Sequence, residues 1–184
     1  MLTAQVEITR MKTTHFNGPA LRLALASALA AFGANSHAAQ VTGNLTVSAD
    51  VNASCTISTS AVAFGEYAPI VTNKSVALNG QGTVTTICTY GSAAKITLSQ
   101  GANPAGGSSD TAPLRQVASG ANRLPYFLYQ DTGRSTVWGN TAETSKSDTG
   151  TGSTSSLPVY GQIPANQFKP AGNYADTVVA TVLF

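Results

Sequence analysis

Histidine, cysteine and carboxylate positions decide what chemistry this chain of 184 residues can attempt. Its two histidines, His15 and His37, both lie ahead of a small-residue cleavage pattern at Ser36-His37-Ala38. A chain cut before Ala39 holds no histidine. That removes the commonest general base and metal ligand, and with it a Ser-His-Asp or Cys-His centre and a histidine zinc site. Carboxylates such as Asp131 and Asp176 are the residue types glycosidases use in pairs. The acids beyond residue 38, however, are scattered from Asp50 to Asp176 without a constellation. The expectation is a protein that is not an enzyme and takes no metal, cofactor or small-molecule substrate. Two cysteines remain, Cys55 and Cys88, about 33 residues apart. In an exported chain such a pair reads as a disulfide; the competing reading is two free thiols.

Export is itself an expectation from the first 38 residues. Arg10, Lys12 and Arg22 supply positive charge, and Leu23 to Phe32 is mostly apolar. Together with the Ser36-His37-Ala38 pattern this predicts a signal peptide over 1–38. The apolar run is about half the roughly twenty residues a membrane span needs; a buried N-terminal helix is the competing reading. Met11-Lys12 resembles a usual signal-peptide opening, so Met11 is a candidate for the true start. Beyond residue 38 the chain carries seven Lys and Arg against seven Asp and Glu. Its formal neutrality argues against nucleic acid, whose binding needs a basic surface.

The stretch Val41–Val51 organises the remainder. Val41, Gly43, Leu45, Val47, Ala49 and Val51 alternate with Thr42, Asn44, Thr46, Ser48 and Asp50. Successive side chains of a strand face opposite ways, so this segment offers one apolar and one wet edge. It can pair within its own domain or be lent to another. Further short strands are predicted at Ser54–Ser58, Ala61–Gly65, Lys74–Leu78, Thr83–Tyr90, Lys95–Ser99, Leu114–Val117, Pro125–Gln130 and Leu157–Ile163. Val84, Cys88 and Tyr90 share a face suited to a core, and Asn79-Gly80 is a turn signal. Residues 101–110 and 140–156 read as loops. Tyr174–Phe184 is the last and longest strand, with Asp176 its only charge. Neither terminal strand has the charge or proline that usually protects a sheet edge. Short strands with turn signals and no useful helix predict an all-β sandwich or barrel.

Several motifs then occur together: V-T-G-x-L-x-V ahead of Cys55, the Cys55/Cys88 pair, Arg115, Tyr126 to Asp131, Arg134, Trp138-Gly139, Val159 to Pro164, and Gly172 to Val178. In this order the chain resembles the spore coat protein U domain family over essentially all of residues 39–184, and within it the pilin subunits of archaic (Csu-type) chaperone–usher systems. The resemblance implies an immunoglobulin-like β-sandwich lacking its last strand, with residues 52–184 the domain and 39–51 a donor segment for a neighbouring subunit. Val41, Gly43, Leu45, Val47, Ala49 and Val51 would be the donor positions. Val178, Ala180, Val182 and Phe184 would form the groove edge, which a periplasmic chaperone pairs with first. The implied partners are identical or homologous pilin subunits, that chaperone, and an outer-membrane usher. The implied location is a fimbrium on the cell surface, reached through the periplasm, supporting attachment and biofilm formation. Gly43 would mark a raised groove floor or, equally, a simple bulge. Tyr174 and Asp176 would tie down the turn before the last strand. Arg115, Arg123 and Arg134 are candidates to pair with Asp131 or Asp110. Trp138, Tyr126 and Tyr129 read as packing residues rather than a sugar platform. Two other functions stay open: a self-contained secreted coat or matrix protein, and a carbohydrate-binding adhesin domain.

Overall fold

The structure, a computed structural model, describes residues 38–184. The expected signal peptide lies outside the described residues apart from Ala38. The chain divides into two units, 1–47 and 48–184. In the first unit the described residues, 38–47, form no strand or helix. The second is all β, with one short 3-10 turn at Thr72–Lys74.

Its strands are β1 (Cys55–Ala63), β2 (Leu78–Cys88), β3 (Ala93–Leu98), β4 (Arg115–Ser119), β5 (Asn122–Tyr129), β6 (Lys146–Thr149), β7 (Thr154–Ile163) and β8 (Ala180–Leu183). They form two sheets in the orders β1-β2-β7-β5-β4 and β6-β3-β8, with every pairing antiparallel. Alternation in the sequence sets which face is inside. In β2, Val84, Thr86 and Cys88 are buried, and in β7 Leu157, Val159 and Ile163 are. Thr86 is tolerated inside because its hydroxyl donates to Asp148 Oδ2 at 2.9 Å. Ile96 and Leu98 of β3 close the core from the second sheet, and Trp138 is fully buried with its indole N–H on Ile96 O at 2.8 Å. Cys55 and Cys88 are opposite each other in the β1–β2 register and form a disulfide.

Five expectations need correction. Tyr90 is 84% exposed rather than in the core, because β2 ends at Cys88 and the chain turns through Gly91 at φ 78°. Residues 74–78 are not a strand: the 3-10 turn precedes β2, which starts at Leu78. Asn79-Gly80 lies inside β2, not in a turn; a Cβ on Gly80 would come within 2.8 Å of the Phe64 ring, so the glycine serves packing. The stretch 140–156 is not all loop, since β6 and the start of β7 lie within it. Tyr174–Phe184 is not one long strand. Ala175 bridges to Ala118 on the outer edge of β4, and only Ala180–Leu183 pairs with β3. The segment passes from one sheet to the other, which breaks its ladder.

Candidate functional site

Among the described residues the second sheet stops at β8, which has β3 on one side and no strand on the other. Val179 shows how its backbone is aimed. Its C=O accepts from Ser99 N at 2.9 Å, its N–H donates to Ser99 Oγ at 2.9 Å, and Thr177 O accepts from Ala102 N at 3.0 Å. Alternate residues of an antiparallel strand point their N–H and C=O the same way. Odd positions therefore serve β3 and its continuation, while Val178, Ala180 and Val182 turn theirs toward the open side. A row of main-chain groups without a partner strand is a template for pairing.

Beside that edge lies a groove of about 630 Å³. Residues 59–65, at the end of β1, form one wall and residues 172–178 with Ala180 the other. The floor is apolar and comes from both sheets: Val84, Leu98, Leu124, Leu128, Val159 and Ile163. Near one end Val62 and Phe64 reach inward over a glycine-cleared patch. A Cβ on Gly161 would sit 2.7 Å from each of them, and Phe64 meets Tyr126 edge-on at 6.1 Å between centroids.

A polar lock fixes the wall at residues 174–178. Asp176 Oδ2 accepts from the Tyr126 hydroxyl at 2.7 Å; Oδ1 accepts from Ala102 N, Asn103 N and Asn103 Nδ2 at 3.0, 3.2 and 3.0 Å. Burial first, then the bond to Asp176 and its charge, push the Tyr126 phenol far above its ordinary pKa, so it stays a donor. Behind it Arg115 is 1% exposed. Its Nε donates to Ser99 O, and Nη2 to Leu98 O and Trp138 O, each at 2.8 Å. Burial brings its pKa down to about 10, opposed by Tyr126 and then Asp176, so it remains a cation at neutral pH. Arg115 therefore binds backbone carbonyls rather than Asp131 or Asp110. Arg123 and Arg134 likewise donate to carbonyls, and Arg134 lies over the Tyr160 ring at 6.0 Å. Asp131 accepts from Thr136 N, Ser135 N and the Ser135 hydroxyl, which, Thr136 first, hold its pKa below the usual value. Tyr174 donates to Pro170 O at 2.9 Å, tying the turn as expected.

The proposed edge residues separate in position. Val178 and Ala180 line the groove, Val182 packs against the core beyond it, and Phe184 is 58% exposed. Val41, Leu45, Val47 and Val51 are 84–95% exposed, and Gly43 and Ala49 are exposed with them. Sequence reasoning did not name the opposite wall, Thr59–Gly65, or the floor. The available signal was Val62 and Phe64 at one parity facing glycines at 80, 82 and 161. Among the described residues, no group of three or more His, Cys, Asp or Glu could hold a metal ion. The site is thus an apolar groove beside a strand edge, the form in which extended segments add to sheets.

These features define a two-sheet β-sandwich with an open edge along an apolar groove. The fold is similar to that in the crystal structure of the CsuC–CsuE chaperone–tip adhesion subunit pre-assembly complex from archaic chaperone–usher Csu pili of Acinetobacter baumannii. The TM-score is 0.53 at 20% identity, over 73% of this chain and 40% of that one, so the match spans about two fifths of the solved chain. The sandwich is thus of the immunoglobulin-like type. The family model of the spore coat protein U domain matches residues 41–181. Protein U of Myxococcus xanthus is 41% identical over 167 residues, covering 86% of this chain and 93% of that protein. The chain belongs to the spore coat protein U domain family.

Proposed function

We propose that this protein is a structural subunit of an extracellular pilus, assembled by a chaperone–usher pathway through donor-strand exchange. The observation that carries the reading is the edge of β8, without a partner strand among the described residues, lying along an apolar groove. The exposed alternating segment Val41–Val51 is the matching insert. A periplasmic chaperone occupies the groove first, and the segment of the next subunit then replaces it at an outer-membrane usher. Residues 1–38 direct export and are removed, and the assembled fimbrium supports surface attachment and biofilm formation.

The energetics support a durable contact. Burying Val41, Leu45, Val47 and Val51 contributes about 6 to 12 kcal/mol gross, at about 1.5–3 each. Main-chain bonds to Val178, Ala180 and Val182 add about 0.5–1.5 kcal/mol each, and ordering the segment offsets part of the total. Added strands of this kind are a general mode of peptide recognition.

The test is polymer formation by the secreted chain 39–184, read as a ladder on an unheated SDS gel. The proposal expects a ladder that disappears when Leu45→Asp and Val47→Asp are combined. An unchanged ladder in that variant contradicts it. A second reading, a coat or matrix protein, draws on the family's name. It expects a stable monomer from the unaltered chain.

A further inference from the structure

The folded unit has two unlike poles. At one lie Cys55 and Cys88, and β8 ends there, since Leu183 is opposite Lys95 near the start of β3. At the other lie Ala63, Leu78 and Ile163, where β1, β2 and β7 meet. The chain that follows the donor segment is rooted at the first pole: Ser54 N donates to Thr89 Oγ1 at 3.0 Å, and Thr89 N to Ser54 O at 2.9 Å. Next to that root Tyr90 is 84% exposed.

The opposite pole presents Ile70, Val71 and Phe168, exposed by 78, 71 and 60%. Their loops are firmly built. Asn73, 3% exposed, accepts from Ala68 N at 2.8 Å and donates to Val76 O at 2.9 Å. The Tyr67 hydroxyl donates to Pro164 O at 2.7 Å and accepts from Gln167 N at 3.0 Å, joining the two loops. Large apolar side chains held out on an ordered frame mark an interaction surface. Beside them is a second cavity of about 200 Å³, and Leu124, Gly172 and Tyr174 line both it and the groove. That cavity, lined by Pro69, Gln167 and Lys169 next to Ile70 and Phe168 in the chain, is thus continuous with the groove.

We infer that this pole docks a second copy of the chain, whose Tyr90 pole seats on Ile70, Val71 and Phe168 while its donor segment fills the groove. The inference rests on the donor-strand reading and adds a contact between folded bodies. Strand geometry chooses the partner. Val41–Val51 and Tyr174–Phe184 are both eleven residues long. The donor's apolar positions are odd, and the half-buried positions from Tyr174 to Val182 are even. Residues directly opposite in an antiparallel pair share a face, so Val51 opposite Tyr174 and Val41 opposite Phe184 keeps the apolar faces matched. Val51 then lies at the shared cavity, and the three residues Asn52–Ser54 bring the donor's Cys55 pole onto the Ile70 pole. A parallel insert would instead press two Cys55 poles together where the recipient's own donor leaves. Contact between unlike poles is heterologous and propagates as an open filament.

The test places photoreactive benzoylphenylalanine at Val71, at Phe168 or at Ala180 of the exported chain. Polymers are formed from isotopically labelled and unlabelled copies, irradiated and digested for mass spectrometry. The inference expects positions 71 and 168 to join Asn52–Ser54 or Thr89–Ser92 of another copy, while position 180 joins Val41–Val51. Crosslinks from position 180 alone, or crosslinks from 71 and 168 only to other surfaces, overturn the pole contact and leave the donor strand standing. No inter-copy crosslink from position 180 to Val41–Val51 overturns both.

Discussion

Replacing Arg115 by Met removes a buried cation that joins the start of β4 to the backbone of Leu98, Ser99 and Trp138. Three carbonyls, on Leu98, Ser99 and Trp138, each lose a donor at 2.8 Å. A hydrogen bond to a charged group contributes about 1.5–3 kcal/mol, so the gross loss is about 4.5 to 9 kcal/mol. Removing a buried charge, and its unpartnered Nη1, returns several kcal/mol of desolvation. The expected net loss is about 3 to 5 kcal/mol, in line with breaking a buried charged contact from one side. For a domain of this size that is a fall in Tm of about 10 to 15 °C. Arg115→Lys retains the charge but has no planar fork to reach three carbonyls, and should fall between. The assay is urea and thermal unfolding of the chain with its donor segment relocated behind Phe184. A loss below about 1 kcal/mol for Arg115→Met would show that the three-carbonyl contact does not hold the fold together.

Three further outcomes are expected. Asp131 has a lowered folded pKa, so its contribution is full above the ordinary carboxylate value of about 3.9 and is lost as pH falls through the folded value; the Tm gap between wild type and Asp131→Asn should narrow from pH 5 to pH 2. The Cys55–Cys88 bond closes a loop with a sequence separation of 33, so the double Ser variant should lose about 3 to 4 kcal/mol in urea titrations. Gly161→Ala should cost about 1 to 3 kcal/mol by crowding Val62 and Phe64, and much of that loss should vanish in a Phe64→Ala background, as a double-mutant cycle would show.

The sequence made the sandwich legible wherever one face of a strand alternates. Val84 and Cys88 in β2, and Leu157, Val159 and Ile163 in β7, follow period two and lie inside. Legibility failed where a residue's partner lies far away in sequence. β6 forms from a Ser and Thr run because β3 offers it an edge, which no local pattern announces. Gly80 mimics a turn signal, yet its missing Cβ makes room for the Phe64 ring. Arg115 looks like a surface charge until three carbonyls converge on it. For the site, the apolar parity of the last segment was readable through Val178 and Ala180, which line the groove. The opposite wall was not, because Val62 and Phe64 show their role only against Gly80, Gly82 and Gly161, which lie on other strands. The shortness of β8 was also hidden: eleven residues of strand-like sequence make only four residues of ladder because the segment crosses from the edge of β4 to β3.

The central claim is that the groove is completed by Val41–Val51 of another copy. Its most direct measurement compares two secreted chains by light scattering and thermal melting. One is 39–184 in natural order. The other lacks 39–51 and carries Val41–Val51 after Phe184 on a flexible linker. Completion by another copy predicts polymers or unstable material from the first, and from the second a monomer that melts cooperatively at higher temperature. A natural chain that is already a stable monomer, and gains nothing from the rearrangement, would contradict it.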